Sequence, residues 1–378
     1  MKILVNTGPA HPLYFPVVGL AWALRAAGHE VLVAAPENWD AVVRGSGLPM
    51  AAVSGPIEMR DVMGKDRAGN PLKFPESHEQ MGGMTGAGFA RLAERTLEGT
   101  LDLVAGWRPD LVVAESYSFA TAAIAAKVNG VPWVKHTVGP GDLPIVPALN
   151  EELAPELARH GLDRLPEPDL VIDNTPPLLG ESIPGAQPMR YVPYGEPGLL
   201  PGWVLQPRTK PRLLVTLGSV QPQAGGLPVL VQLLKALGAL EAELVVAVAD
   251  FLVPQMGELP ESVVAVGWQS LTSVLSGCDA VVHHGGPGTM MTCLTHGLPQ
   301  VVIPGMGKPL AAIGKLAEFG AIRRIEPREL TPELLLESTK ALLDQESYRV
   351  RAREVRDQIA QLPSPADLVP VLEKLVAK

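Results

Sequence analysis

The segment VVHHGGPGTMMTCLTHGLPQVVIP, residues 281–304, carries the strongest structural signal in this chain. Its two valines end an apolar run typical of a buried strand, and a glycine-rich turn precedes a helix expected to start near Gly288 or Thr289. A helix that begins directly after such a turn offers unpaired N–H groups and the positive end of its dipole. His283 or His284 adds a further donor. The segment is therefore suited to hold the oxygens of a diphosphate.

Two shorter segments repeat one pattern and predict two domains. KILVNTG at residues 2–8 and RLLVTLG at residues 212–218 each join a basic residue to an apolar run that ends in a polar residue and a glycine. Each predicts a buried parallel strand that ends in a tight turn. Strand and helix patterns alternate after each of them, which indicates an α/β fold with parallel sheets. Neither turn contains GxGxxG, so a dehydrogenase cofactor site is not expected.

Composition supports two domains and excludes several classes of partner. The 378 residues are 47% apolar, enough for two cores, and the net charge of −9 is unlike the basic surface of a nucleic-acid-binding protein. Cys278 and Cys293 predict buried thiols, not a disulfide or metal site. The N-terminus shows no secretion signal and no run has transmembrane length, so we expect a soluble cytoplasmic protein without a membrane partner.

Several local patterns predict further elements of the first domain. A helix is expected over residues 19–27, and strands over residues 30–35 and 110–114. Residues 54–88 are rich in glycine and charge and contain four methionines, which indicates a long loop. That loop is interpreted either as a methionine-rich lid over an apolar substrate or as an irregular surface segment.

A segment rich in proline and glycine, residues 190–211, marks the boundary between the domains. We therefore predict a first domain at residues 1–195, a linker at 196–211, a second domain at 212–360 and a last helical segment at 361–378. Ser364 is suited to cap the final helix.

The glycine-rich segment closely resembles the donor-binding motif of GT-B glycosyltransferases, in the bacterial antibiotic and macrolide branch related to UDP-sugar transferases. The family pattern is HHGGxGT, an apolar helix, GxPQ and a short strand that ends in proline. The matching residues here are His283, His284, Gly285, Gly286, Pro287, Gly288, Thr289, Gly297, Pro299, Gln300 and Pro304. The resemblance implies two Rossmann-like domains whose parallel sheets face each other across a cleft. It also implies that the final helix returns to the first domain.

The resemblance assigns donor binding to the second domain. His283 and the N–H groups of Gly288 and Thr289 would contact the two phosphates, while Gly286 keeps the turn open. VGWQSL at residues 266–271 resembles the family's GWxPL, which faces the nucleobase, with Ser270 in place of the usual proline. The implied donor-site residues are Gly218, Ser219, Trp268, Gln269, His283, Gly285, Gly286, Gly288 and Thr289.

The catalytic base is expected in the turn after the first strand. Related enzymes carry a histidine in a GHxxP turn before an LAxAL helix, whereas this chain reads GPAHPLYFP. His11 is the base if the extra residues are absorbed before the helix, and Leu13 occupies that place if they are not. Glu115, at the end of the strand DLVVA, is the favoured carboxylate partner, with Asp142 as the alternative.

Two absences predict the kind of donor. The chain lacks the DxD sequence by which GT-A enzymes bind a divalent ion, so we expect transfer without a metal or a resident cofactor. Many relatives place Asp-Gln or Glu-Gln after the motif to bind sugar hydroxyls, whereas GMGKPLAA at residues 305–312 has neither acid nor amide. This predicts a TDP-deoxysugar. Lys308 is left open as a contact to a phosphate or to a sugar substituent.

These observations predict an inverting glycosyltransferase that moves a sugar from a nucleotide diphosphate to a small apolar natural-product aglycone. A nucleotide-sugar epimerase on the same fold and a non-catalytic nucleotide-sugar-binding partner are the alternatives. A homodimer is left open as the assembly.

Overall fold

The structure, a computed structural model, describes residues 1–73, 75, 77–141, 143–180, 183–305 and 307–377. The chain forms two compact units. Taken over their described residues, the first unit comprises Met1–Thr175, Glu181–Arg190 and Leu362–Lys378, and the second comprises Pro176–Gly180 and Tyr191–Gln361.

The first unit is built on a seven-stranded parallel sheet. Its strands are β1 (Lys2–Asn6), β2 (Glu30–Pro36), β3 (Met50–Ser54), β4 (Leu111–Glu115), β5 (Trp133–His136), β6 (Leu170–Asp173) and β7 (Gln187–Pro188). They lie in the order β3-β2-β1-β4-β5-β6-β7. The central strands are buried along most of their length, which explains why they consist of nearly unbroken apolar residues.

Helices cover this sheet, and one of them comes from the end of the chain. They are α1 (His11–Ala26), α2 (Asp40–Gly45), α3 (Met59–Met63), α4 (His78–Trp107), α5 (Ala120–Asn129), α6 (Val146–Glu152), α7 (Ala154–Arg159) and α15 (Pro365–Val376). Helix α15 packs against α1 and buries Leu368, Val369 and Leu372. Ser364 and Asp367 form the capping box at its start, which confirms the predicted cap.

The second unit is built on a six-stranded parallel sheet in the order β10-β9-β8-β11-β12-β13. Its strands are β8 (Arg212–Thr216), β9 (Glu243–Ala247), β10 (Val263–Gly267), β11 (Ala280–His283), β12 (Gln300–Val302) and β13 (Ile322–Arg324). Its helices are α8 (Gly202–Leu205), α9 (Leu227–Leu237), α10 (Leu271–Val274), α11 (Pro287–Thr295), α12 (Leu310–Phe319), α13 (Pro332–Asp344) and α14 (Glu346–Gln361). The predicted α/β class with parallel sheets is confirmed in both units.

The first helix starts earlier than the sequence pattern predicted. It begins at His11 rather than near residue 19, with Pro12 in its first turn, where a missing backbone N–H has no consequence. The residues expected to form a longer turn are therefore helical.

Two parts of the segment predicted as a long loop are helical, namely α3 and the start of α4. Helix α4 begins at His78 after its cap, Ser77, which accepts a hydrogen bond from Gln80 N–H. The glycines allow close packing here, because a Cβ on Gly86 would lie 2.4 Å from the carbonyl oxygen of Ile145. Residues 78–88 are therefore helical and not a loop, and the lid interpretation stays a prediction.

The predicted linker, residues 196–211, belongs to the second unit. Trp203 and Val204 pack against an apolar cluster that contains Leu214 and Cys278, and the guanidinium of Arg212 lies 4.7 Å from the Trp203 ring centroid. Its prolines therefore shape a packed segment instead of a free connection.

Cys278 and Cys293 are free and buried, as predicted. Within the described ranges, no helix has both the length and the apolar character needed to span a bilayer.

Candidate functional site

In the second unit, the turn at Gly218 and the glycine-rich turn after β11 meet where the strand order reverses. Strands β8 and β11 are neighbours in the sheet, with Thr216 paired to His283. A crevice forms at the carboxyl ends of two such strands, because the connections that follow them run to opposite sides. The turn at Gly218 therefore lies beside the glycine-rich turn that follows β11.

His283 is fully engaged inside the protein. Its Nε2 donates to Gln300 Oε1 at 2.7 Å, and its Nδ1 accepts the N–H of Gly285 at 3.1 Å. Burial lowers the pKa of the His283 imidazole to about 4, so the ring is neutral and has no second N–H. Through these two hydrogen bonds the ring fixes the shape of the turn, and the expected contact from His283 to a phosphate stays a prediction.

His284 is the histidine that faces the two turns. A Cβ on Gly218 would lie 2.6 Å from its Cε1, and a Cβ on Gly286 would lie 2.6 Å from its Nε2. In the described part of the chain its Nδ1 has no hydrogen-bond partner. Burial, with the neighbouring charge of Lys308, lowers the pKa of His284 far below its ordinary value. Glycine at both positions therefore leaves room for this ring.

The N-terminus of α11 completes this side of the turn. Gly286 is the N-cap residue and lacks a capping side chain, and Pro287 follows within the first turn. The N–H groups of Gly288 and Thr289 lie in that first turn, where helices leave backbone donors without an internal partner. Both residues are partly exposed, so these donors are suited to an anionic ligand.

The turn after β8 has the shape that its glycine requires. Gly218 has φ of 77°, which favours glycine, and its N–H donates to Thr216 Oγ1 at 3.0 Å. Ser219 follows directly and is partly exposed. The structure therefore places Gly218 and Ser219 beside the β11 turn, as the resemblance implied.

Trp268 lies further along the same edge, after β10. Asp250 Oδ1 accepts its backbone N–H at 2.7 Å, an arrangement that the sequence did not reveal. Trp268, Gln269 and Ser270 line a cavity of about 150 Å³ together with residues 196–199. Strand β9 separates β10 from β8. Trp268 and the turn at Gly218 therefore occupy different parts of the sheet edge.

The first unit repeats the same topology, and its expected catalytic residues follow the two strands at its own reversal point. Strands β1 and β4 pair directly, with Asn6 opposite Ala114. Asn6 Nδ2 donates to the carbonyl oxygen of Ser118 at 3.3 Å, which ties the two following turns together. His11 and Glu115 therefore both lie at the carboxyl edge of this sheet.

His11 is the first residue of α1 and is half-buried. Its ring forms edge-on contacts with Phe15 and Trp39, each with centroids 5.0 Å apart. Leu13, the alternative occupant, is buried in the apolar core of the unit. Helical geometry thus gives His11 the more accessible position of the two.

Glu115 is fully buried, and its carboxylate is bound by the turn that follows it. It accepts the N–H groups of Tyr117 at 2.7 Å and Ser118 at 2.8 Å, and the hydroxyl of Ser118. These bonds satisfy a charge that burial would otherwise disfavour. The rival carboxylate, Asp142, lies outside the described residues.

Sequence reasoning missed the role of Gln300, although a usable signal was present. Gln300 pairs with Val281 in the parallel register, and Val281 shares a face of its strand with His283. Alternation in the two strands, together with this register, places the amide and the imidazole on the same face. Among the described residues, no group of three or more histidine, cysteine or acidic side chains is arranged to hold a metal ion.

Comparison with known proteins identifies the family. The erythromycin biosynthesis protein CIII-like N-terminal domain model matches residues 22–218, and the corresponding C-terminal domain model matches residues 231–375. The L-demethylnoviosyl transferase of Streptomyces niveus is 36% identical and aligns over 97% of this chain and 96% of its own length. The 3-alpha-mycarosylerythronolide B desosaminyl transferase of Saccharopolyspora erythraea is 32% identical and aligns over 100% of this chain and 99% of its own length.

A solved structure agrees with this relationship over the whole length. The glycosyltransferase SsfS6 of Streptomyces sp. SF2575, complexed with thymidine diphosphate, is 38% identical, with a TM-score of 0.87 and 99% of each chain covered. The predicted GT-B fold is thereby confirmed. The chain thus belongs to the erythromycin biosynthesis protein CIII-like family and is a nucleotide-sugar-dependent glycosyltransferase.

Proposed function

We propose that this enzyme transfers a deoxysugar from a TDP-sugar to an apolar natural-product aglycone, with inversion at the anomeric carbon. The observation that carries the proposal is the group of donors beside the β8 and β11 turns. There, the His284 ring lies against two glycines, and the first turn of α11 offers the N–H groups of Gly288 and Thr289. The thymidine diphosphate in the related SsfS6 structure supports a thymidine nucleotide as carrier.

In the proposed reaction His11 acts as general base. The acceptor atom gives its proton to the imidazole and forms a bond to the anomeric carbon, while the bond from that carbon to the diphosphate oxygen breaks. The electron pair of that bond leaves with TDP. A single displacement of this kind inverts the configuration. Glu115, at the same sheet edge as His11, favours the cationic imidazolium through its negative charge.

Backbone donors stabilise the charge that develops on the leaving TDP. The helix dipole and the N–H groups of Gly288 and Thr289 supply positive potential without reorganisation, which is the most effective form of charge stabilisation in enzymes. We therefore propose that transfer needs neither a divalent ion nor a resident cofactor. His283, satisfied by Gln300 and Gly285, holds the turn that presents these donors.

A deoxysugar fits the polarity of the loop that follows β12. Residues 305–312 contain no acid and no amide, so they offer no acceptor side chain to a row of sugar hydroxyls. A site binds a sugar hydroxyl well only when a protein group pairs with it. A sugar with fewer hydroxyls therefore leaves fewer of its own hydroxyl donors without an acceptor in this loop.

The proposal is tested by incubating the enzyme with polyketide aglycones in EDTA. Each reaction contains one donor from a panel of TDP-deoxysugars, TDP-glucose and UDP-glucose. Released TDP and a glycoside of inverted anomeric configuration by NMR are the expected results. Sugar interconversion without a glycoside would indicate an epimerase, and tight binding without turnover a non-catalytic partner. Activity that returns only on addition of magnesium would overturn metal independence, and equal turnover of UDP-glucose would overturn the donor assignment.

A further inference from the structure

Lys308 contributes a cation beside the glycine-rich turn that follows β11, residues 284–287, hereafter the donor turn. It lies in the loop between β12 and α12, two residues before the helix begins. This loop packs against the donor turn, since a Cβ on Gly285 would lie 3.5 Å from Pro304 Cα and 3.1 Å from Ile313 Cδ1. The charge of Lys308 reaches both motif histidines and lowers the pKa of each.

The surroundings of Lys308 contain no compensating negative charge in the described part of the chain. Burial alone lowers the pKa of its ammonium, with no carboxylate acting in the opposite direction. A partly buried ammonium without a counter-charge is unfavourable, and its position ahead of the N-terminus of α12 adds repulsion from the helix dipole. The folded protein therefore bears a cost at this position that a bound anion would relieve.

Positive potential from three sources converges at this edge of the sheet. Strands β11 and β12 are parallel neighbours, so the helices that follow them, α11 and α12, both begin at the same edge. Lys308, two residues before α12, adds a positive charge to this edge. A site with this potential is suited to a polyanion rather than to a neutral sugar ring.

We infer that Lys308 binds the diphosphate of the donor and stabilises it as the leaving group. This inference rests on the proposed function and adds a residue to it. Lysine only donates hydrogen bonds and phosphate oxygens are acceptors, so the ammonium is matched to the diphosphate.

The test compares Lys308→Met, Lys308→Arg and the control Lys315→Met, which removes an exposed lysine from α12. Calorimetry with TDP should give binding weaker by about 10- to 100-fold for Lys308→Met, because one charge-assisted contact is lost. Lys308→Arg should stay within about threefold of wild type, and Lys315→Met should be unchanged. Thymidine without phosphates should bind wild type and Lys308→Met equally.

Thermal unfolding separates a ligand-binding role from a structural one. Without ligand, Lys308→Met should unfold at a higher temperature than wild type, because methionine keeps the length of the side chain and removes an unpaired charge. Its stabilisation by TDP should be smaller than that of wild type. A lower unfolding temperature for unliganded Lys308→Met would overturn the inference.

The outcomes also distinguish this inference from the proposed function. If wild type does not bind TDP, the proposed donor is wrong and the inference fails with it. If wild type and Lys308→Met bind TDP equally, only the role of Lys308 is wrong. A further outcome is that the two proteins bind TDP equally while Lys308→Met loses affinity only for TDP-sugars that carry a carboxylate. That result would assign the ammonium to the sugar and overturn its contact with the diphosphate.

Discussion

The imidazole of His283 and the side-chain amide of Gln300 are joined by a hydrogen bond of 2.7 Å between Nε2 and Oε1. Because Gly285 N–H donates to Nδ1, the proton of the neutral ring resides on Nε2, and the amide must present its oxygen. The pair links β11 to β12 and fixes the left-handed turn at Gly285. The first histidine of the motif thus holds the turn on which the second is presented.

Replacement of Gln300 by leucine should destabilise the second unit. The His283 Nε2 proton would lose its acceptor in a buried place, which costs about 1–3 kcal/mol in the free energy of unfolding. Urea denaturation of the variant measures this loss. Gln361→Leu, at the exposed end of α14, is the matched control and should change the free energy by less than about 0.5 kcal/mol. Equal stability of the two variants would contradict the role assigned to the pair.

Replacement of Gly218 by alanine should abolish most TDP binding. Its methyl group would lie within 2.6 Å of the His284 ring, so the ring must leave its position between the two turns. The control is Gly257→Ala, since Gly257 also has positive φ, 68°, but a methyl group there meets no atom of the described residues within 4 Å. Both variants carry the backbone strain, of about 1 kcal/mol, while only Gly218→Ala displaces His284. Calorimetry with TDP distinguishes them, and similar affinities would argue against the His284 contact.

Stability should fall as the pH is lowered from 7 to 5. Burial holds the pKa of His136 and of His283 at about 4, below the value of 6.5 for an exposed histidine. Between these values the unfolded chain binds protons that the folded chain does not, so the free energy of unfolding decreases as pH falls. Each ring contributes about 2 kcal/mol over this interval. Urea titrations of wild type and His136→Gln should show a smaller slope for the variant, and an unchanged slope would refute this origin.

In the second unit, sequence reasoning predicted the position of the donor turn closely. The apolar run before His283, the glycines and Pro287 each specify local geometry by themselves, so strand, turn and helix start were readable within a residue or two. Which histidine is bound by Gln300 and which lies against Gly218 was not readable in the same way. That choice depends on Gln300, whose contact with His283 arises only when two strands pair.

In the first unit, local rules misjudged two helices. His11 to Pro16 contains two prolines, a composition typical of turns, yet Pro12 lies in the first helical turn and Pro16 is accommodated further along. The glycines of residues 82–88 indicate a loop by propensity, but tertiary packing overrides that preference because α4 must approach α6 closely. Such contacts between distant residues are not visible in a local pattern.

Replacement of Glu115 by glutamine separates its structural from its catalytic role. The carboxylate accepts two backbone N–H groups and the Ser118 hydroxyl, and an amide would turn a donor toward one of them. We expect a loss of about 1–3 kcal/mol in the free energy of unfolding. If Glu115 also favours the His11 cation, kcat should fall at a temperature where the variant remains folded.

The control is Asp110→Asn at the exposed start of the same strand, where Asp110 Oδ2 accepts the backbone N–H of Lys2 at 2.6 Å. It makes the same change of charge and should leave kcat unaltered. TDP release measures turnover in both variants. A Glu115→Gln enzyme with reduced stability and full kcat would leave the residue with a structural role alone.

Two glycines of α4 test whether close packing or flexibility explains the glycine content of this helix. A Cβ on Gly99 would lie 2.0 Å from the carbonyl oxygen of Val53 in β3, whereas a Cβ on Gly106 meets nothing within 4 Å in the part of the chain that the structure describes. Gly99→Ala should therefore cost more than about 2 kcal/mol, because the helix must move away from the sheet. Gly106→Ala should add up to about 1 kcal/mol, since alanine is the better helix former. Thermal unfolding of the two variants measures these opposite shifts, and shifts of the same sign would show that packing at Gly99 does not determine where α4 lies.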